Sequence, residues 1–205
     1  MLPGKAKIVK CPYCGKEKEL MTLLSGNTCG AEYWSDNKRI APMLPSVSPV
    51  QKCPKCGKYY FEYKQSYTEG KNCSFEQGKL NFPEWKEAYK QFLSENVDTK
   101  DMLNVYIEII HSYNDCFYRN HSSQKSTEED YEFFVKMVLE FIDHYEWNQD
   151  ELLFKAELYR EAGKMKECSD VLGVISYDNL QDFTREIYTQ IKHRMENNDS
   201  KVFRL

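Results

Sequence analysis

Two copies of one five-residue pattern, Cys11-Pro12-Tyr13-Cys14-Gly15 and Cys53-Pro54-Lys55-Cys56-Gly57, constrain this chain more than any other feature. Two residues between cysteines let one tight turn aim both thiolates at a common point, and a zinc ion takes four such ligands tetrahedrally. The glycine after each second cysteine suits that turn, because the backbone there needs a positive φ that glycine adopts without strain. Cys11, Cys14, Cys53 and Cys56 are therefore expected to hold one structural Zn2+, and two such knuckles make a zinc ribbon. Four protein ligands leave no position for water, so no hydrolytic chemistry follows from this site.

Cys11-Pro12-Tyr13-Cys14 also matches the dithiol of glutaredoxins, and Ile8-Val9 before it could end a strand. That resemblance implies a thiol–disulfide enzyme at Cys11 and Cys14. A glutaredoxin continues through a Thr-Val-Pro segment and a Gly-Gly pair, and neither occurs in this sequence. Redox chemistry also leaves the repeat at Cys53 unexplained, whereas tetrahedral ligation requires it. Cys29, Cys73, Cys116 and Cys168 lack the paired spacing and read as free thiols behaving as small hydrophobes. A second metal site from Cys29 and Cys73 would lack a complete ligand set.

At 205 residues the chain makes one large domain or two small ones. No apolar run reaches the roughly 18 residues a membrane span needs, and Met1 to Lys10 has no signal-peptide core. With eight cysteines, a cytoplasmic, reducing compartment is the expectation. The net charge of -4 is unevenly spread. Met1 to Lys64 carries 11 Lys and Arg against 5 Asp and Glu, whereas Gln65 onward carries 17 against 27. A basic segment of this kind suits an anionic partner such as nucleic acid, or simply complements the acidic remainder.

Along the chain, residues 1–64 read as the ribbon module, with strands at Glu19 to Leu24, Ala31 to Trp34 and Tyr59 to Tyr63. The polar, glycine-spaced stretch 65–81 reads as a linker or long hairpin loop. Residues 82–197 show helical periodicity throughout, and 198–205 read as a tail. Pro83 opens the first helix, with Trp85, Ala88, Tyr89 and Phe92 on one face. Asp98 caps a second helix carrying Met102, Val105, Tyr106, Ile109, Ile110 and Tyr113. Ser126-Thr127-Glu128-Glu129 reads as a capping box for a third, which carries Phe133, Phe134, Met137, Val138, Phe141 and Tyr145. Asn148 and Glu151 cap a fourth, Gly163 ends it, and a last helix carries Leu180, Phe183, Ile187, Ile191 and Met195. The fold class is α+β: a small β zinc ribbon followed by a helical bundle of about six helices.

The block Ser25-Gly26-Asn27-Thr28, Gly30-Ala31, Trp34-Ser35-Asp36, Lys38 and Pro42-Met43-Leu44-Pro45 between the knuckles resembles the N-terminal module of a family of uncharacterised bacterial proteins. That resemblance implies a helical, tetratricopeptide-like C-terminal region; it implies no activity. Cys29 stands where that pattern has a bulky apolar residue, which argues for packing. Ala156, Tyr159, Gly163, Met165, Cys168 and Leu172 resemble the tetratricopeptide pattern, although Ile175 replaces its later alanine and no proline closes the unit.

For catalysis the sequence offers little. His111, His121, His144 and His193 are scattered, and His111 falls off the apolar face of its helix. No phosphate loop, nucleophile elbow or paired-carboxylate motif stands out. Trp34, Ser35, Asp36 and Lys38 offer an aromatic and charges on one loop, the chain's best candidate binding surface; the alternative is that Trp34 packs and Asp36 caps the turn. The reading is a cytoplasmic interaction protein, not an enzyme, taking a peptide or protein partner.

Overall fold

The computed structural model describes residues 1–72, 78–119 and 125–205. Cys73 and His121 lie outside the described residues, as does most of the polar loop after the second helix. Small antiparallel sheets come first and six helices follow, the α+β arrangement expected. The chain divides into two compact units, residues 1–32 with 40–97 and residues 33–39 with 98–205.

In the first unit, β1 (Leu2–Pro3) pairs with β4 (Leu23–Ser25), while β2 (Lys5–Lys10) pairs on one side with β3 (Glu17–Leu20). On its other side β2 pairs with β9 (Tyr67–Asn72), so part of the stretch read as a linker is a sheet strand. Its alternation is weak, because Gly70 replaces a side chain where Ile8 and Ala6 crowd the backbone. A separate hairpin joins β7 (Val50–Lys52) to β8 (Tyr59–Phe61).

Helix α1 (Phe82–Ser94) starts at Asn81, whose side chain accepts from Glu84 N–H while the Glu84 carboxylate accepts from Asn81 N–H. This reciprocal cap satisfies two orphan donors, with Pro83 inside the first turn, where its missing N–H costs nothing. Trp85, Ala88, Tyr89 and Phe92 are all buried, as their spacing predicts. Phe92 stacks on Phe61 of β8, and the Gln91 amide exchanges hydrogen bonds with both N–H and C=O of Tyr59. The glutamine side chain thus stands in for a paired strand at the β8 edge.

The second unit contains α2 (Thr99–Asn114), α3 (Glu128–His144), α4 (Leu152–Glu161), α5 (Met165–Gly173) and α6 (Asp182–Glu196). Asp98 caps α2 through Asp101 N–H, as read. The cap of α3 is Thr127 rather than Ser126, accepting from Asp130 N–H. Gly163, at φ 70°, makes the turn between α4 and α5, and Ala156, Cys168 and Leu172 close the contact between those helices with Ile191 and Phe203. Phe203 belongs to the stretch read as a tail. Arg160 of α4 holds that stretch by donating to the carbonyls of Asp199 and Lys201, and Val202 and Phe203 are buried. Among the described residues no helix is long and apolar enough to cross a membrane.

Candidate metal centre and the loop between its knuckles

The first knuckle turns the chain from β2 into β3, and the second turns it from β7 into β8. Both close in the same way. Cys11 N–H donates to Lys16 C=O and Gly15 N–H to Cys11 C=O, each at 2.9 Å; Cys53 N–H donates to Lys58 C=O and Gly57 N–H to Cys53 C=O. Gly15 sits at φ 69° and Gly57 at φ 74°, the left-handed region that costs other residues about 1–2 kcal/mol.

These turns bring the four sulfurs of Cys11, Cys14, Cys53 and Cys56 within 4.8 Å of one another. Cys11 Sγ lies 3.7 Å from Cys56 Sγ and Cys14 Sγ 3.5 Å from Cys53 Sγ. A tetrahedral ion with metal–sulfur bonds of about 2.3 Å sets its ligands about 3.8 Å apart, so the spacing fits a shared cation and is far too long for disulfides. Val9, Leu20 and Tyr60 pack around Cys11 and Cys53, and Cys14 packs against that cluster.

The electrostatics agree with the geometry. Burial pushes the Cys53 thiol up, yet the N–H groups of Cys56 and Lys55 and the Cys14 and Cys56 thiols outweigh it and bring it to about 6. Cys56 receives a lowering bond from Lys58 N–H, but burial and the other three sulfurs push it up to about 12. Sulfurs this close cannot all ionise without a cation between them, and a divalent metal supplies that charge.

Trp34, Ser35, Asp36 and Lys38 lie elsewhere. β5 (Glu32–Tyr33) and β6 (Arg39–Ile40) form a hairpin whose tip, residues 33–39, belongs to the helical unit. Asp36 is fully buried and forms an ion pair with Arg119. Its carboxylate also accepts from Asn114 Nδ2 at 2.9 Å and from Lys38 N–H, and its carbonyl meets His111 Nε2. Lys38 pairs with Asp115, and Arg119 lies over the Trp34 ring. Ser35 N–H donates to Phe203 C=O, Phe203 N–H donates to Ser35 Oγ, and Leu205 N–H donates to Tyr33 C=O. Ser35 and Asp36 are thus enclosed, and His111, read as solvent-facing, is half-buried against the tip.

Asp115 and Arg119 both stand on a π-helical turn, Asp115–Arg119, that extends α2. The wider turn re-aims the two side chains relative to the α2 face. On α4, Glu157 and Glu161 are buried as well, with Arg160 between them. The sequence carried no sign of this network, because charges at helical spacing ordinarily face water. Of the remaining cysteines, Cys168 is buried as expected and Cys116 half-buried, while Cys29 is exposed: its N–H is held by the Asn27 side chain in a surface turn rather than packed.

No family model, curated protein or solved structure matches this chain.

Proposed function

We propose that the chain is a zinc-stabilised interaction protein of the cytoplasm, with a structural Zn2+ on Cys11, Cys14, Cys53 and Cys56 and a helical unit that takes a peptide or protein partner. The observation that carries the first half is the convergence of four sulfurs, two of them buried, at tetrahedral spacing. Thiolates are soft donors that favour zinc over magnesium or calcium, and a complete set of four makes the ion a staple for two hairpins. A reducing compartment keeps such thiols available. The first check is zinc per chain by mass spectrometry after purification without chelator. About one zinc is expected, with four thiols becoming reactive only after stripping; a metal-free chain with Cys11 and Cys14 freely reactive would sink the reading.

Support for the second half comes from the α5–α6 end of the helical unit. Val174 and Phe183 are 69% and 61% exposed, and Tyr177 and Leu205 are also open. Phe183, Ile187, Gln190, Phe203 and Leu205 line a shallow pocket of about 140 Å3. Phe183 stands at an apolar position of α6, and its exposure beside Leu205 at the same pocket leaves the helix pattern unfinished within the chain; neighbouring apolar groups left open mark interaction sites. Val174→Asp with Phe183→Asp should abolish partner capture in a native pull-down while leaving the melting temperature unchanged. Capture that survives both substitutions would move the partner site elsewhere.

A further inference from the structure

The buried polar cluster of the helical unit has one carboxylate too many. Asp36, Glu157 and Glu161 are enclosed, and among the described residues Arg119 and Arg160 are the cations enclosed with them. Arg119 is committed to Asp36, with further bonds to Asp115 and the His111 carbonyl. Arg160 grips Glu157 with both Nε and Nη2, and spends its other donors on Asp199 and Lys201 carbonyls. Glu161 is left with an amide: Asn114 Nδ2 donates to its Oε2 at 2.8 Å, and its Oε1 meets no donor. Asn114 Nδ2 also bonds Asp36, so one amide nitrogen ties Glu161 to the hairpin tip.

A metal ion does not answer the excess, because among the described residues the four cysteines are the one group whose donor atoms converge for that purpose. We propose that Glu161 carries a proton in the folded chain at neutral pH, and that losing this proton unseats the hairpin tip 33–39 from the helical unit. A proton on Glu161 gives its carboxyl a donor toward Glu157, one turn back on the same helix face. Ionised, Glu161 would set a second negative charge beside Glu157 and a third across Asn114 from Asp36, in surroundings that screen poorly.

The other groups packed here do not supply the missing charge. From α3 the Tyr131 hydroxyl reaches the Gly163 turn, and from α5 the Cys168 thiol is pushed up to about 12, first by burial and then by Glu157. In the C-terminal stretch, Asp199 pairs with Arg194. The Glu161 carboxyl accordingly lies well above the ordinary glutamic acid value, through burial first and the Glu157 charge second, which outweigh the opposing Arg160 charge and Asn114 bond; Arg119 also feels the Glu161 charge. A folded-state value raised in this way means that the folded chain binds more protons than the unfolded one. Stability contributed by the proton is full below the unfolded value near 4.5 and is lost as pH rises toward the folded one.

Glu161→Gln tests this directly, since an amide mimics the protonated acid: its oxygen accepts from Asn114 and its NH2 donates toward Glu157. The melting temperature of the wild-type chain should fall by several degrees more than that of Glu161→Gln between neutral and alkaline pH. The Ser35 and Phe203 amides should lose protection from hydrogen exchange over the same interval in wild type only. Parallel pH profiles, or a Glu161→Gln chain already destabilised at neutral pH, would overturn the proposal. Should that variant not fold, the infrared carbonyl band of a protonated buried carboxyl decides on wild type alone; its absence at neutral pH would equally overturn it.

Discussion

Cys53→Ser is expected to unfold the N-terminal unit. The reason lies in how few side chains pack around the sulfurs where the two knuckles meet. The core around the sulfurs consists of Val9, Leu20 and Tyr60 with Cys11 and Cys53 themselves. Burying a side chain of this size contributes about 1.5–3 kcal/mol, and ordering one residue costs about 1–2 kcal/mol of backbone entropy alone. Such a core does not offset the ordering of two hairpins. A structural zinc in small peptides contributes about 10–16 kcal/mol, comparable to the whole stability of an ordinary domain. Serine keeps the size of Cys53 but offers a hydroxyl that stays protonated, so the fourth ligand is gone. Cys53, like Cys11, also receives two backbone N–H donors, here from Cys56 and Lys55. The expected readouts are loss of bound zinc and rapid hydrogen exchange at the β2–β3 and β7–β8 amides. A chelator or mild acid should act alike, because protons compete with the metal for thiolates. An unchanged protease-digestion pattern for residues 1–97 in Cys53→Ser would refute a structural metal.

The knuckles were legible in the sequence because everything they need is local. Two cysteines, a tight turn and a glycine at positive φ lie within five residues, and their repetition states the four-ligand set. Helix faces and several caps were legible for the same reason: Asp98 and the Asn148–Glu151 pair act within one turn of themselves. What escaped depends on long-range pairing. Asp36 and Arg119 are 83 positions apart, and Ser35 and Phe203 are 168 apart. A buried aspartate looks the same in sequence as a turn-capping one, so the loop carrying Trp34, Ser35, Asp36 and Lys38 read as a surface. Strand β9 escaped because Gly70 interrupts its alternation, and residues 198–205 because a short polar run ending in Val202-Phe203 has no periodicity to detect. Glu157 and Arg160 escaped because a pair at helical spacing ordinarily faces water and nothing local marks this one as buried, and Glu161 because its one donor, Asn114, comes from α2.

Asp36→Ala should cost the helical unit about 3–5 kcal/mol, the loss typical when one partner of a buried ion pair is removed. The penalty is not the value of the pair itself. It is the cost of leaving the Arg119 guanidinium enclosed without its carboxylate, while Asn114 and Lys38 N–H lose an acceptor. Exposed pairs such as Lys5–Glu69, with side chains 67% and 65% accessible, are screened by water and leave no comparable orphan when cut. For a unit of this size the larger loss lowers the melting temperature on the order of 10 °C. A cycle with Arg119→Met separates the two explanations. If the cost is an orphaned charge, Asp36→Ala with Arg119→Met should recover most of the lost stability, because apolar replacement of both partners of a buried pair is often neutral. If the tip were held instead by Trp34 packing and the Ser35–Phe203 bonds, the double variant would be no better than either single one. The same reasoning applies to a fragment spanning 98–205. It keeps every helix of the unit and Asp115 but lacks Asp36, the enclosed carboxylate paired with Arg119, so it should fold less stably than in the whole chain, and a peptide of residues 32–40 should restore part of the difference. A fragment as stable as the intact helical unit, indifferent to that peptide, would show that the tip is a passenger.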